Sequence, residues 1–472
     1  MNAAKTALGT ALVAGLFSSC SSYKSLSAPP AMDAAGLVRD GKAGGTDTSS
    51  VADIHWRSYF ADPKLQALLA EGLDSNFELR TALVRIDQAE ASLGAARAGQ
   101  APAITAVAGA NRTQSSTGNH GRDVLGYTSQ GASLGFSATW ELDLWGRLSS
   151  ASKAKYAALL GSREYANLVR TQVVANIAVD YDKLLALDKE VAITEETITL
   201  LAKSAETMAA LKQAGSQTEA AVEQTNATLY GTQLSLLSLE QQVRQEENAI
   251  CVLLGRKPGP IDRSVLDQQD STIGFLRDGV PVSALSHRPD VRQAELAVEA
   301  AYATTDAARA ALYPTLAITS GGASTTFVGF VGAFGDFFNP ANLMASLTAS
   351  LTGPVFDRGA LNADVRIAEG AQEESLLAFR QSVLAAGEEV SDILYGYGQS
   401  LRKDEFRQKQ IASLEKAVEA TDLLLTAGEV DYIEVLTAQQ GLLAARLSQV
   451  DDRLERLTYT VDLYQALGGG VR

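Results

Sequence analysis

Proline is missing from two long stretches of this chain. None lies between Pro102 and Pro258, and none follows Pro354. Proline is the strongest helix breaker, so its absence leaves long helices unobstructed. The stretch from Leu148 to Gly215 is dominated by Ala, Leu, Glu, Lys and Gln, which are good helix formers. A continuous helix there would be about 100 Å long at 1.5 Å per residue. Cysteine and histidine are scarce too. Two cysteines, and His55, His120 and His287 at no metal-ligand spacing, exclude a disulfide framework and a zinc site. Beyond the N-terminus there is no run of 18 apolar residues, which excludes a membrane-spanning helix. Positive charge is in deficit: 40 Lys and Arg face 55 Asp and Glu, a net charge of −15 that disfavours nucleic acid as a partner. No nucleophile motif or Gly-rich phosphate loop is present, so no enzyme and no cofactor is expected.

What is present is a heptad seam. Leu443, Leu447, Val450, Leu454, Leu457, Val461 and Tyr464 recur at alternating steps of four and three. That spacing marks a helix lying along others with nearly parallel axes. A second helical run, Arg366 to Thr426, precedes it, with Gly428 between the two. Gly takes left-handed backbone angles at little cost, so the pair reads as a long helical hairpin with its tip near 428.

The pattern occurs twice, at an offset of about 212 residues. The run 96–102 overlays 308–314, and 143–147 overlays 354–358. Gly428 overlays Gly215, and Leu467-Gly468 overlays Leu254-Gly255. Two copies are too few for a solenoid and suit a duplicated unit. The expected organisation is a first repeat over 54–262, a connector over 263–287, a second repeat over 288–467 and a tail over 468–472.

The N-terminus reads as a targeting segment: Lys5, then an apolar run from Ala7 to Phe17, then Ser18-Ser19-Cys20. Small residues before Cys resemble a bacterial lipoprotein cleavage box, with residues 1–19 removed and Cys20 lipidated. The alternative is an ordinary signal peptide that contains a Cys. Residues 20–53 are rich in Ser, Ala, Gly and Asp, a tether composition unable to bury a core.

After Pro102 the hydrophobic period changes from helical to two. Leu134, Phe136, Ala138, Trp140, Leu142 and Leu144 alternate with Ser133, Gly135, Ser137, Thr139, Glu141 and Asp143. Strands are expected over 103–112 and 127–145, and in the second repeat over 315–325 and 343–356. They are long enough for tilted membrane strands. Four strands cannot close a barrel alone, and an open edge cannot sit in lipid, so several chains must pool their strands. Three chains give twelve. The fold class is thus mixed α and β: a trimeric 12-stranded β-barrel continuing into a long α-helical barrel.

Nearly the whole chain after Cys20 resembles the TolC-like outer-membrane efflux factors, in particular their lipid-anchored branch. The resemblance is carried by Ala308-Arg309 through Tyr313-Pro314, by 143–147 (DLWGR), by Arg288-Pro289-Asp290, by Gly428 through Leu436, and by Leu467-Gly468-Gly469-Gly470. It implies a homotrimer in the outer membrane of a Gram-negative bacterium, extending into the periplasm. It further implies a periplasmic adaptor and an inner-membrane pump of the RND type as partners, with outer-membrane lipid around the barrel.

Two sites follow. Asp431 and Glu434 lie just past a tip, where three copies would form a ring of carboxylates at a periplasmic gate; family members carry acids near here. Thr437 stands where another family acid falls, and Ala221 is the first-repeat counterpart of Glu434. The plainer alternative is a solvated helix start, favoured by the helix dipole. The tips, Gly215, Ser216 and Gln217 in one repeat and Gly428 and Glu429 in the other, are expected to dock the adaptor. Trp56, Trp140 and Trp145 suit either a membrane edge or a core. Competing functions are the outer-membrane channel of a type I protein secretion system and a pore-less lipid-anchored coiled-coil scaffold.

Overall fold

The structure, a computed structural model, describes residues 37–39, 55–114, 128–269, 282–325, 343–354 and 358–469. Cys20, Asp357, the 327–338 loop and the last three residues lie outside the described residues. The elements run α1 (Trp56–Tyr59), α2 (Pro63–Ser75), α3 (Phe77–Ala98), β1 (Ala103–Gln114), β2 (Thr128–Leu142), α4 (Arg147–Gln213) and α5 (Glu219–Leu253). The second half runs α6 (Pro289–Ala310), β3 (Thr315–Thr325), β4 (Leu343–Thr352), α7 (Arg358–Ala427) and α8 (Tyr432–Ala466). The duplication is visible in the lengths. α3 and α6 each have 22 residues, α5 and α8 each have 35, and α4 and α7 have 67 and 70.

The ends of the paired helices repeat as well. Gly215, Gly255, Gly428 and Gly468 all have φ between 64° and 77°. At each, two amides satisfy orphan helix carbonyls in a Schellman cap. Ser216 N–H donates to the Leu211 carbonyl and Glu429 N–H to that of Leu424, both at 2.9 Å. Arg256 N–H reaches Cys251 O, and Gly469 N–H reaches Tyr464 O. The helix starts differ more. Asn76 caps α3 through Oδ1, which accepts from the Glu78 and Leu79 amides, whereas Thr218 caps α5.

Among the described residues two compact units emerge, and each draws on both repeats: those within 92–157 and 297–376 in one, those within 32–91, 158–296 and 377–472 in the other. The consecutive repeats expected from the sequence are therefore interleaved in these units. The reason lies in strand pairing, because β2 of the first repeat is hydrogen-bonded to β3 of the second.

The first unit holds a four-stranded antiparallel meander in the order β1-β2-β3-β4. Its register gathers mostly apolar residues on one face. Ile104 pairs with Ala138, Ala106 with Phe136, Trp140 with Ile318, Leu142 with Leu316, Ile318 with Ala349, and Leu316 with Leu351. The opposite face carries Thr105, Ser137, Thr139, Glu141, Thr319, Ser346, Thr348 and Ser350. Among the described residues nothing covers the apolar face: Ile104 is 74% exposed, Phe136 65% and Leu347 77%.

β2 ends three residues before the expected 145. Asp143 leaves the ladder to cap α4, its carboxylate accepting the Leu148 and Ser149 amides at 2.9 and 2.8 Å. Gly146, at φ 76°, completes the corner. Burial would raise the Asp143 carboxyl, but these amide bonds and Arg147 hold it below the usual carboxylate range. Arg147 grips Glu141 in a fork, with Nη2 2.7 Å from Oε2. Likewise β4 ends at Thr352, short of the expected 356.

The second unit contains the main core. Val173, Val174, Ile177, Ala178, Tyr181, Leu184 and Leu185 of α4 pack with Ile250, Leu254, Val390, Val461 and Tyr464. Of the seven seam residues of α8, Val450, Leu457, Val461 and Tyr464 are all below 5% exposed, while Leu443, Leu447 and Leu454 are half-buried. Trp56 and Phe60 are buried in the same core, and Tyr59 donates its hydroxyl to the Thr460 carbonyl at 2.6 Å. Trp56 is thus a core residue. Trp140 and Trp145 are more than a third exposed, and each donates its indole N–H to a backbone carbonyl, Gln100 and Pro314 respectively. One segment departs from its expected character. Val38, within the 20–53 stretch read as a tether, is only 4% exposed and belongs to this core.

Candidate functional site

The two hairpin tips lie together within the second unit. Leu201 and Met208 of α4, Val222 of α5, and Tyr432, Val435 and Leu436 of α8 form a small apolar cluster separate from the main core. α4 contributes residues seven apart and α8 residues three and four apart from Tyr432, so one stripe of each faces the other. The tips themselves stay outside this cluster. Gly215, Ser216, Gly428, Glu429, Asp431 and Glu434 are exposed, and Gln217 is half-buried. A Cβ added at Gly215 or Gly428 would meet nothing within 4 Å, so these glycines are set by backbone angle alone.

The tips differ in charge. In the first, Lys212 and Glu219 form an ion pair across the turn. The second places Leu425 and Tyr432 at the matching positions and carries acids without a matching cation. Asp431 is the N-cap residue of α8, yet its side chain makes no capping hydrogen bond. It is therefore available to another partner. Glu434 sits in the first turn, where a carboxylate is favoured by the helix dipole. Its counterpart Ala221 is half-buried against the cluster, so the two repeats are not equivalent here. Tyr432 is 5% exposed, and its hydroxyl is buried with no hydrogen-bond partner. Thr437, one turn further on, turns its hydroxyl back to the Ile433 carbonyl at 2.7 Å.

Further along the helices, carboxyl groups meet at contacts that sequence spacing did not reveal. Burial, and then the charge of Asp451, push Glu190 up to about 7. Burial and Glu246 raise Asp180 to about 6, although Lys183 opposes the shift. Burial and Glu389 raise Asp462 to about 6. Asp182, 5% exposed, is pushed up to about 8 by burial and by Asp62. Asp62 itself is held low despite burial, because Tyr181, Gln269, Ser264 and the Lys64 amide all donate to it. Each of the carboxyl–carboxyl contacts joins residues at least 66 positions apart, so no local motif could have marked them.

Arg288 has a structural task in this same unit. Its guanidinium donates to the Ala466 carbonyl at 2.7 Å, to Asp290 and to Glu389. It thereby ties the start of α6, the end of α8 and the middle of α7. Among the described residues no group of His, Cys, Asp and Glu is arranged to hold a metal ion, and no helix is long and apolar enough to cross a membrane.

A sheet with one apolar face and two open edges, joined in one chain to paired long hairpins, has clear counterparts. The chain matches the family described as outer membrane efflux protein over residues 68–256 and 280–469. It is 30% identical over 417 residues to the cation efflux system protein CusC of Escherichia coli O6:H1, covering 88% of each chain. It is 30% identical over 427 residues to the pyoverdine export outer membrane protein OpmQ of Pseudomonas putida, covering 89% of each. A crystal structure of CusC aligns with a TM-score of 0.82 at 27% identity, over 94% of this chain and 99% of that one. The fold is that of a protomer of the trimeric TolC-like channels, whose members are channels rather than enzymes. The chain belongs to the outer membrane efflux protein family and is an outer-membrane efflux channel of the Gram-negative envelope.

Proposed function

We propose that three copies form the exit duct for an inner-membrane pump of the RND type, with a periplasmic adaptor docked on the hairpin tips. The observation that carries this is the tip pair: two exposed turns on one apolar cluster, at the ends of the longest helices of the chain. An adaptor that reads both turns of a protomer meets the Lys212–Glu219 pair on one and the acids of the other. The cargo is small solutes. Two relatives are named for the export of cations and of pyoverdine, which supports this class over protein secretion. Cys20 is the lipidation site that adds an anchor in the outer membrane.

Asp431 and Glu434 are the gate acids in this reading. Three copies of each crowd like charges at one opening, so closure needs protons, cations or hydrogen-bond donors from neighbouring copies. The uncapped carboxylate of Asp431 supports it. The test is single-channel conductance of reconstituted trimers. Asp431→Ala combined with Glu434→Ala should raise conductance and abolish its sensitivity to divalent cations. Unchanged conductance and cation response would remove the gate role. Charge reversal at Glu219 and Glu429 should lower pump-dependent export while leaving conductance intact, and unimpaired export would count against docking at the tips.

A further inference from the structure

Gly387 lies inside α7, 29 residues from its nearer end, where alanine is normally the better helix former. Neither a turn nor a positive φ calls for glycine there. What calls for it is another segment of chain. The Leu37 carbonyl oxygen sits 2.5 Å from where a Cβ at position 387 would be, and the Leu37 carbonyl carbon 3.2 Å from it. One turn on, Ser391 Oγ accepts the Arg39 amide at 3.0 Å and donates to the Gly387 carbonyl at 2.7 Å. Between these two backbone contacts, Val38 is 4% exposed, in the same apolar cluster as Val383, Ala386 and Val390. Gly387 and Ser391 stand four residues apart, hence on one face of the helix.

We propose that Gly387 and Ser391 form a built seat for the N-terminal segment Leu37–Arg39, which straps across α7 and is part of the periplasmic body rather than free tether. Glycine provides the clearance for the strap's backbone, serine supplies an acceptor for it, and Val38 is the side chain that locks in. The seat lies two residues before Glu389, which Arg288 holds together with the end of α8.

The consequence has a sign that helix propensity alone would give the other way. In the full chain, Gly387→Ala puts a methyl group against the strap's carbonyl. It should unseat the strap and speed trypsin cleavage after Arg39 by about tenfold, since cleavage follows the open population. The apparent Tm should not rise. In a chain whose strap is already disabled by Val38→Asp, the same Gly387→Ala change should raise Tm, because only the helix then feels it. Ser391→Ala removes the acceptor without adding bulk and should also speed cleavage after Arg39. Intact protein mass spectrometry after limited trypsin treatment, together with thermal melts in detergent, reads all of these. If Gly387→Ala raises Tm in the full chain and cleavage after Arg39 keeps its original rate, the strap is not seated there and the proposal falls.

Discussion

At the scale of single residues, a few positions hold far more than their neighbours. Arg288 is one, because its guanidinium is buried and serves a helix C-terminus and two carboxylates at once. Arg288→Ala leaves Glu389 and the Ala466 carbonyl without their donor. The expected loss is about 3 kcal/mol, as for a buried ion pair broken from one side, read as a fall in the urea midpoint. The ArgProAsp run was legible as a helix start, but its reach to Ala466 was not, since 178 residues separate the pair. Gly215 and Gly428 act through their own backbone. Each is left-handed and has open space around it, so replacement by Ala costs about 1 kcal/mol through strain alone. Double replacement should cost about twice that by the same measurement, because the two sites share no partner. Both glycines were evident from the sequence, for a turn between helices demands this residue type.

Helices and strands were legible to within a few residues wherever the pattern itself ends the element. The α8 seam is such a case: Val450, Leu457, Val461 and Tyr464 are buried at the spacing that marked them. The end of β2 was misread because Asp143 continues the alternation in sequence, while in the structure its carboxylate caps α4. Between elements, the carboxyl contacts give a pH dependence. Asp180, Glu190, Asp462 and Asp182 have folded values raised to about 6, 7, 6 and 8. Unfolded carboxyls titrate near about 4. Between those limits the folded state binds more protons, so stability falls as pH rises. The groups facing them are Glu246 and Lys183, Asp451, Glu389 and Asp62. The melting temperature should therefore drop between about pH 5 and pH 8, and Asp182→Asn should flatten the upper part of that drop. Asp62 and Asp143, held low, act oppositely and lose their contribution only as pH falls below the ordinary carboxylate range.

At the scale of the whole molecule, the sheet decides what one chain can be. β1 and β4 are edges within the chain, and such edges are intolerable in lipid until neighbouring copies pair with them. The apolar face of the sheet then meets hydrocarbon and the Thr/Ser face lines the lumen. Adjacent residues of β4 test this assignment. Leu347→Lys should destabilise the membrane-inserted trimer by about 2 kcal/mol or more, while Thr348→Lys should be tolerated. Heat-modified mobility of the trimer in detergent gels separates the two outcomes, and equal sensitivity would reject the facing.

The sequence by itself determined the duplication, the long helices, the alternating strands and the need for several chains, because each is a matter of local spacing. Glycine at the tips and the missing prolines carry that information without any partner. Only the tertiary structure decided that β2 pairs with β3 across the repeats, that Arg288 spans three helices, that carboxyls meet in pairs, and that Val38, within an apparent tether, is buried. Those outcomes depend on which surfaces come together, and contacts between residues hundreds of positions apart leave no period in the chain to read.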